Sequence, residues 1–223
     1  MSARPFRIAV LAIGFALVGL IGLVAAFDGP ETYRDIARSS GVTEAVFRAP
    51  PNLVRHVDRN GLVDLHQRTL AYVLGDAPLL PALAGTTVPL FNDNERSHMA
   101  DVRAVFQATK LAFVAGVLIV LAVLRWTVRP MRLRLIRDAA ISAGIGAAAV
   151  AVMAVVAFDP LFMLFHEVFF PQGNFLFPPD SNLLILYPDE YWYGVTLRIG
   201  FTFVAVTAAV ALVATATLRQ ARR

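Results

Sequence analysis

Four runs of this chain, at about 8–27, 111–128, 139–158 and 195–218, are almost unbroken apolar side chains. A helix needs about 20 such residues to cross about 30 Å of hydrocarbon. Backbone inside a bilayer must also satisfy its own hydrogen bonds, which leaves helices or closed barrels. Runs of this length point to helices, so the expectation is an all-α integral membrane protein with four transmembrane helices in a single domain over 1–223. The composition agrees: 57% of the residues are hydrophobic and 16% charged, whereas soluble domains carry roughly 25% charge. The middles of the runs hold no charge, which argues against the ion or proton path that a channel or transporter requires. Arg198 lies near one end of the fourth run, where it can snorkel. Gly144, Gly146 and many alanines in the third invite close helix packing. Arg4, Arg7 and Val24-Ala25-Ala26 resemble a cleaved signal peptide, but the first run is longer than the usual 7–15 residue core of such signals, which favours a retained span.

Orientation follows from arginine. Arg4 and Arg7 precede the first run, and Arg125, Arg129, Arg132, Arg134 and Arg137 crowd the connection between the second and third. Arg219, Arg222 and Arg223 end the chain, and Asp138 is the one acid in these regions. The stretch 159–194 has acids and neither Lys nor Arg. The positive-inside bias then puts both termini and the arginine loop in the cytoplasm, with 28–110 and 159–194 outside. The net charge of +4 is topogenic, so nucleic acid is not an expected partner. The absence of cysteine excludes disulfides and thiolate chemistry.

Function therefore rests on the two outer regions. In the first, 61–74 spaces Leu62, Leu65, Leu70, Val73 and Leu74 at near-helical intervals, an extracytoplasmic amphipathic helix expected on the bilayer surface or across the mouth of the bundle. His56 and His66 lack polar sequence neighbours to orient them and read as exposed or interfacial. Asn92 followed by Glu95 fits a capping box, with Asn94 as a rival cap, so a helix should start there and run into the second span. If Asn94 opens it, Asn94, His98 and Asp101 share a face, and Asp101 can accept from His98 and fix its tautomer.

In the second outer region His166 and Glu167 come just after the third span. Phe169, Phe170, Phe175 and Phe177 follow, then Pro178-Pro179-Asp180, Tyr187-Pro188 and Tyr191-Trp192-Tyr193. Aromatics at this depth anchor proteins at the interface. Gln172, Asn174 and Asp180 set among them, beside Gly173 and prolines, imply a shaped, re-entrant-like loop. His166-Glu167 lacks the second histidine of a zinc helix, and no histidines stand at ligand spacing, so neither metal nor other cofactor is expected. No serine sits in a nucleophile elbow. The second outer region has no base for a phosphate, although Arg96 and Arg103 lie in the first. What remains is cofactor-free acid–base chemistry by histidine at a membrane surface.

At these residues the chain resembles the lipoprotein intramolecular transacylase (Lit) family. The resemblance lies in Asn94-Glu95-x-x-His98-Met99-x-Asp101-Val102 and Phe165-His166-x-x-Phe169-Phe170-Pro171-x-Gly173-Asn174, and continues through Phe177-Pro178-Pro179-Asp180 and Leu186-Tyr187-Pro188. Two features depart from it: Phe175 stands where tryptophan is expected, and the Pro178-Pro179 stretch differs from the aspartate-bearing version. The resemblance implies a bacterial cytoplasmic membrane, a diacylglyceryl-modified lipoprotein as substrate, and membrane lipid as a further partner. It implies migration of the sn-2 acyl chain from glycerol oxygen to the α-amino group of the N-terminal cysteine, giving the lyso form, with His98 and His166 as catalytic pair. An α-amino group of pKa about 7.7–8.0 must lose a proton to attack an ester, and histidine near pKa 6.5 suits that task. Either histidine can be the base. Asn92, Asn94, Gln172 or Asn174 would stabilise the oxyanion, Glu95, Asp101, Glu167 or Asp180 would orient the imidazoles, and Phe169, Phe170, Phe175, Phe177 and Tyr187 would bind substrate. The alternative is a non-catalytic membrane protein that binds lipoproteins or lipids and uses the histidines for packing.

Overall fold

The computed structural model describes residues 4–50 and 52–221. In chain order the elements are α1 (Arg4–Phe27), α2 (Pro30–Ser39), β1 (Glu44–Ala49), β2 (Leu53–Asp58), α3 (Arg59–Leu74), α4 (Asp93–Trp126), α5 (Arg129–Val156), α6 (Phe158–Phe169), α7 (Asn182–Leu186) and α8 (Asp189–Gln220). They form two compact units. One takes in the described residues up to Ala26, Thr109–Val156, and those from Thr196 on; the other is Phe27–Ala108 with Ala157–Val195.

The first unit holds α1, the apolar part of α4, α5 and most of α8. These four helices are long and apolar enough to cross a membrane by length and composition, and they match the four apolar runs. Lipid tails are as apolar as leucine, so such helices associate by close packing rather than by exclusion of water. A Cβ on Gly14 would lie 2.8 Å from Val120 Cγ2, and one on Gly116 would lie 2.9 Å from Leu17 Cβ, so α1 and α4 meet at facing glycines. Gly144 leaves room in α5 for Thr207 of α8, whose Oγ1 would stand 2.7 Å from an added Cβ. Leu11, Leu135 and Ala139 are buried together with Phe15, Val120 and Leu124 packed against them. Asp138 accepts from Arg4 Nη2 and Arg137 Nη2, both at 2.7 Å, which ties α1 to α5.

The second unit holds α2, the β1–β2 hairpin, α3, the polar start of α4, α6, α7 and the first residues of α8. The hairpin is antiparallel, with Glu44 opposite Asp58 and Ala49 opposite Leu53. Neither α2 nor this hairpin is legible in the sequence: each strand is six residues long and neither shows a sustained alternation. The α3 helix occupies the segment read as amphipathic. Asp58 Oδ1 caps it by accepting from Gly61 N at 2.8 Å, and Gly75, at φ 91, ends it. Its apolar side packs on α2, β1 and β2, with Leu62, Val63, Leu65, His66 and Val73 buried. Asn182 fastens the hairpin to α7: its Oδ1 accepts from Arg48 N at 3.1 Å, and its Nδ2 donates to Arg48 O at 2.8 Å and Leu90 O at 2.6 Å.

Candidate active site

The start of α4 is set by a capping box. Asn92 Oδ1 accepts from Glu95 N at 3.0 Å, and Glu95 Oε2 accepts from Asn92 N at 2.7 Å. Asn92 is therefore the cap, and Asn94 is an exposed residue of the first turn. Glu95 is only 1% exposed, and its second oxygen accepts from Leu183 N at 3.0 Å. With both oxygens committed to backbone amides, Glu95 supports the helix and makes no hydrogen bond to the imidazole. One turn further on, His98 is buried.

The second histidine arrives on α6. The helix α5 stops at Val156, Ala157 leaves helical geometry (φ −146), and α6 restarts with Pro160 in its first turn, where the missing N–H does no harm. His166 Nδ1 lies 2.8 Å from Phe162 O. A carbonyl only accepts, so this nitrogen carries hydrogen and Nε2 keeps its lone pair. A backbone carbonyl thus orients His166. Glu167 and Asp180, expected for that role, are exposed and make no such bond.

The two imidazoles lie with ring centroids 6.0 Å apart and planes 22° from parallel. Aromatic rings wall them in. Phe170 sits 4.7 Å from His98 and 5.5 Å from His166, Phe177 is 5.5 Å from His98, and Phe175 is 5.2 Å from His166. Phe162, absent from the sequence reading, adds a ring 4.2 Å from His166 as well as its carbonyl. Phe169 is half-exposed and packs against Phe165 instead. Burial disfavours the charged imidazole. It pushes His98 down to about 4, helped by repulsion from His166, against the opposing pull of Asn174 and Asp101. Burial lowers His166 too, against the Phe162 carbonyl. Both are neutral bases at neutral pH.

Asp101 does not bond to His98 in this structure. Its Oδ2 accepts instead from Gln172 Nε2 at 2.7 Å and Asn174 Nδ2 at 2.6 Å. The turn carrying these two amides closes through Gly173 N to Phe170 O at 3.0 Å, with Gly173 at φ +76, a conformation suited to glycine. Asn174 Nδ2 also lies 3.4 Å from Ser97 Oγ.

Tyr187 is not part of this wall. It packs with His66, Tyr33, Tyr191 and Trp192, and its hydroxyl lies 3.2 Å from His66 Nδ1. His66 is 1% exposed, which corrects the reading of an interfacial residue; burial pushes it down to about 4. In the same cluster Tyr191 donates to Asp28 Oδ1 at 3.0 Å, and burial lifts Asp28 to about 6. His56 is exposed, 3.7 Å from Glu44. Among the described residues no group of three or more His, Asp or Glu is placed to hold a metal.

A family model described as the lipoprotein intramolecular transacylase Lit matches residues 9–192. Among solved structures, the membrane-integral lipoprotein intramolecular transacylase Lit from Bacillus cereus is similar, with a TM-score of 0.70 at 15% identity over 97% of this chain and 98% of that one. A variant of that protein with a histidine changed to arginine gives 0.68 at 13% identity, covering 98% and 93%. One with a histidine changed to alanine gives 0.67 at 14%, covering 98% and 95%. At these identities the structures establish a shared fold. No curated protein sequence matches the chain.

Proposed function

The chain belongs to the lipoprotein intramolecular transacylase family, and from that premise we propose that it moves the sn-2 acyl chain of a diacylglyceryl lipoprotein to the α-amino group of the lipoprotein's N-terminal cysteine, leaving the lyso form. The observation that carries this reading is the close pair of neutral imidazoles, His98 buried and His166 partly buried, inside a phenylalanine wall.

Neutral imidazoles suit a substrate that brings its own protons. The α-amino group, with pKa about 7.7–8.0, arrives largely as ammonium. One imidazole takes its first proton. The freed nitrogen attacks the ester carbonyl, forming the C–N bond, and the second imidazole takes the proton that nitrogen then sheds. Collapse breaks the C–O bond, and an imidazolium protonates the departing glycerol oxygen. An amide and a hydroxyl replace an ester and an ammonium, with one proton released to water. Ester and amine belong to one molecule, so positioning supplies much of the rate, and no energy source or cofactor enters. Half-exposed Phe169, with Phe175 at the edge of the wall, supplies apolar surface for the acyl chain. We place the pocket on the outer face of a bacterial cytoplasmic membrane, in a chain that works as one membrane domain, on the strength of the arginine distribution.

The test is mass spectrometry of a lipoprotein co-expressed with the protein. Replacing His98 or His166 by Gln keeps a polar side chain of similar bulk and removes the proton carrier. N-acylated lyso product should fall by at least about 10²-fold, the low end for a general acid or base. Near-normal conversion by both variants would mean that the histidines pack rather than react, and a lipid- or lipoprotein-binding role would take the place of this reading.

A further inference from the structure

Two buried polar atoms in this pocket have no hydrogen-bond partner: His98 Nδ1 and Asn174 Oδ1. Buried polar atoms are seldom left unsatisfied, and each one calls for a reason. The Asn174 carboxamide has a donor end and an acceptor end, and Asp101 decides which goes where. A carboxylate only accepts, so at 2.6 Å it faces Asn174 Nδ2 and turns Oδ1 away. Gln172 donates to the same carboxylate oxygen, which holds that acceptor in place. Asn174 reaches α4 at Ser97 and Asp101, on either side of His98 in sequence, and its carboxamide favours a proton on the imidazole, although no hydrogen bond joins the two in this structure. Hydrogen bonds of this kind are often long before substrate binds and tighten afterwards.

We propose that Asn174 is a positioning residue that fixes the tautomer of His98: its Oδ1, aimed by Asp101, accepts from His98 Nδ1–H and leaves Nε2 as the basic nitrogen. A carboxamide oxygen cannot donate, so the imidazole nitrogen it meets has to carry the hydrogen. His166 is set the same way by the Phe162 carbonyl. Both rings therefore present Nε2 lone pairs, one through a backbone carbonyl and the other through a carboxylate–carboxamide chain. The assignment also separates Asn174 from the oxyanion-donor role, because its nitrogen is already committed to Asp101 and Ser97. For its consequence in catalysis, though not for the tautomer itself, the proposal rests on the transacylase reading above.

The experiment is nitrogen NMR of the full chain labelled at histidine, in micelles at neutral pH, with the His98 signals assigned by their loss in His98→Gln. Wild type should show His98 as one tautomer, protonated at Nδ1. Asn174→Leu, close in size but without an acceptor, should give a mixture of tautomers. Asn174→Asp, which still accepts, should restore the Nδ1–H form. Asp101→Asn, which lets the Asn174 amide turn either way, should also give a mixture and serves if Asn174→Leu does not fold. Turnover in Asn174→Leu should fall with little change in apparent KM. A His98 tautomer unchanged in both Asn174→Leu and Asp101→Asn would overturn the proposal. A changed tautomer with normal turnover would leave the positioning intact and overturn the acid–base role of His98 instead.

Discussion

Glu95 holds two pieces of chain with its two carboxylate oxygens, one on Asn92 N and one on Leu183 N. A glutamine there keeps one accepting oxygen and sets an NH2 against the other amide. Because the site is buried, Glu95→Gln should cost about 1–3 kcal/mol, the penalty for an unsatisfied buried donor. The loss would be read as a lower unfolding midpoint in micelles, without requiring any change at His98. The half of this joint that lies within three residues was legible from the sequence as a capping box. The Leu183 half joins residues far apart in the chain, and no local pattern announces it. Asp101 illustrates the same limit. Helical spacing brings it near His98, but the carboxylate is taken by Gln172 and Asn174 from a distant turn. His66 looked solitary among its sequence neighbours, yet Tyr33 and Tyr187, supplied by other segments, enclose it.

At the level of elements, α3, α2 and the start of α8 surround a small buried set of titrating groups whose signs oppose one another. His66 falls from 6.5 to about 4, so the unfolded chain binds a proton that the folded one refuses between those values. His98 does the same. Their contribution to stability is complete above pH 6.5 and is lost as pH falls toward 4. Asp28 runs the other way: raised from 3.8 to about 6, it keeps a proton in the folded chain. Its contribution is complete below 3.8 and is lost as pH rises through 6. Asp28→Asn removes the opposing group. Its stability should therefore drop more steeply than wild type between pH 6 and 4, and it should match or exceed wild type at pH 7, as measured by thermal unfolding in micelles. A variant with a shallower acid slope would contradict the assignment. The sequence reading found a helix at α3 because the apolar period of about 3.6 is strong there. The expectation is a helix on the bilayer surface or across the mouth of the bundle; periodicity reports an apolar face but does not name α2 and the hairpin, which pack on it. The third apolar run ends at about 158, within a residue or two of the break at Ala157, but nothing in the run announces that a new helix, α6, restarts there.

On the scale of the whole molecule, the four membrane-length helices were legible because about 20 apolar residues in a row admit few other structures. The hairpin and α2 are too short to stand out as patterns, and the meeting of His98 with His166 joins remote segments and is expected only through the family motifs. Orientation can be tested directly, since the chain contains no cysteine and a single introduced thiol is unambiguous. Asp180→Cys, at an exposed position of the second unit, should react with an impermeant reagent in intact cells, whereas Arg134→Cys should react only after the membrane is opened. The reverse pattern would move the pocket to the cytoplasmic face. The joint at Glu95 also has a consequence in time. Leu183 lies 88 residues after Glu95, and a ribosome adding about 5–20 residues per second delivers it roughly 4–18 s later. Through that interval α4 begins on its local cap alone. A nascent chain thus has His98 long before it has the amide that latches the helix beneath it, and the pocket is among the last parts of the protein to be finished.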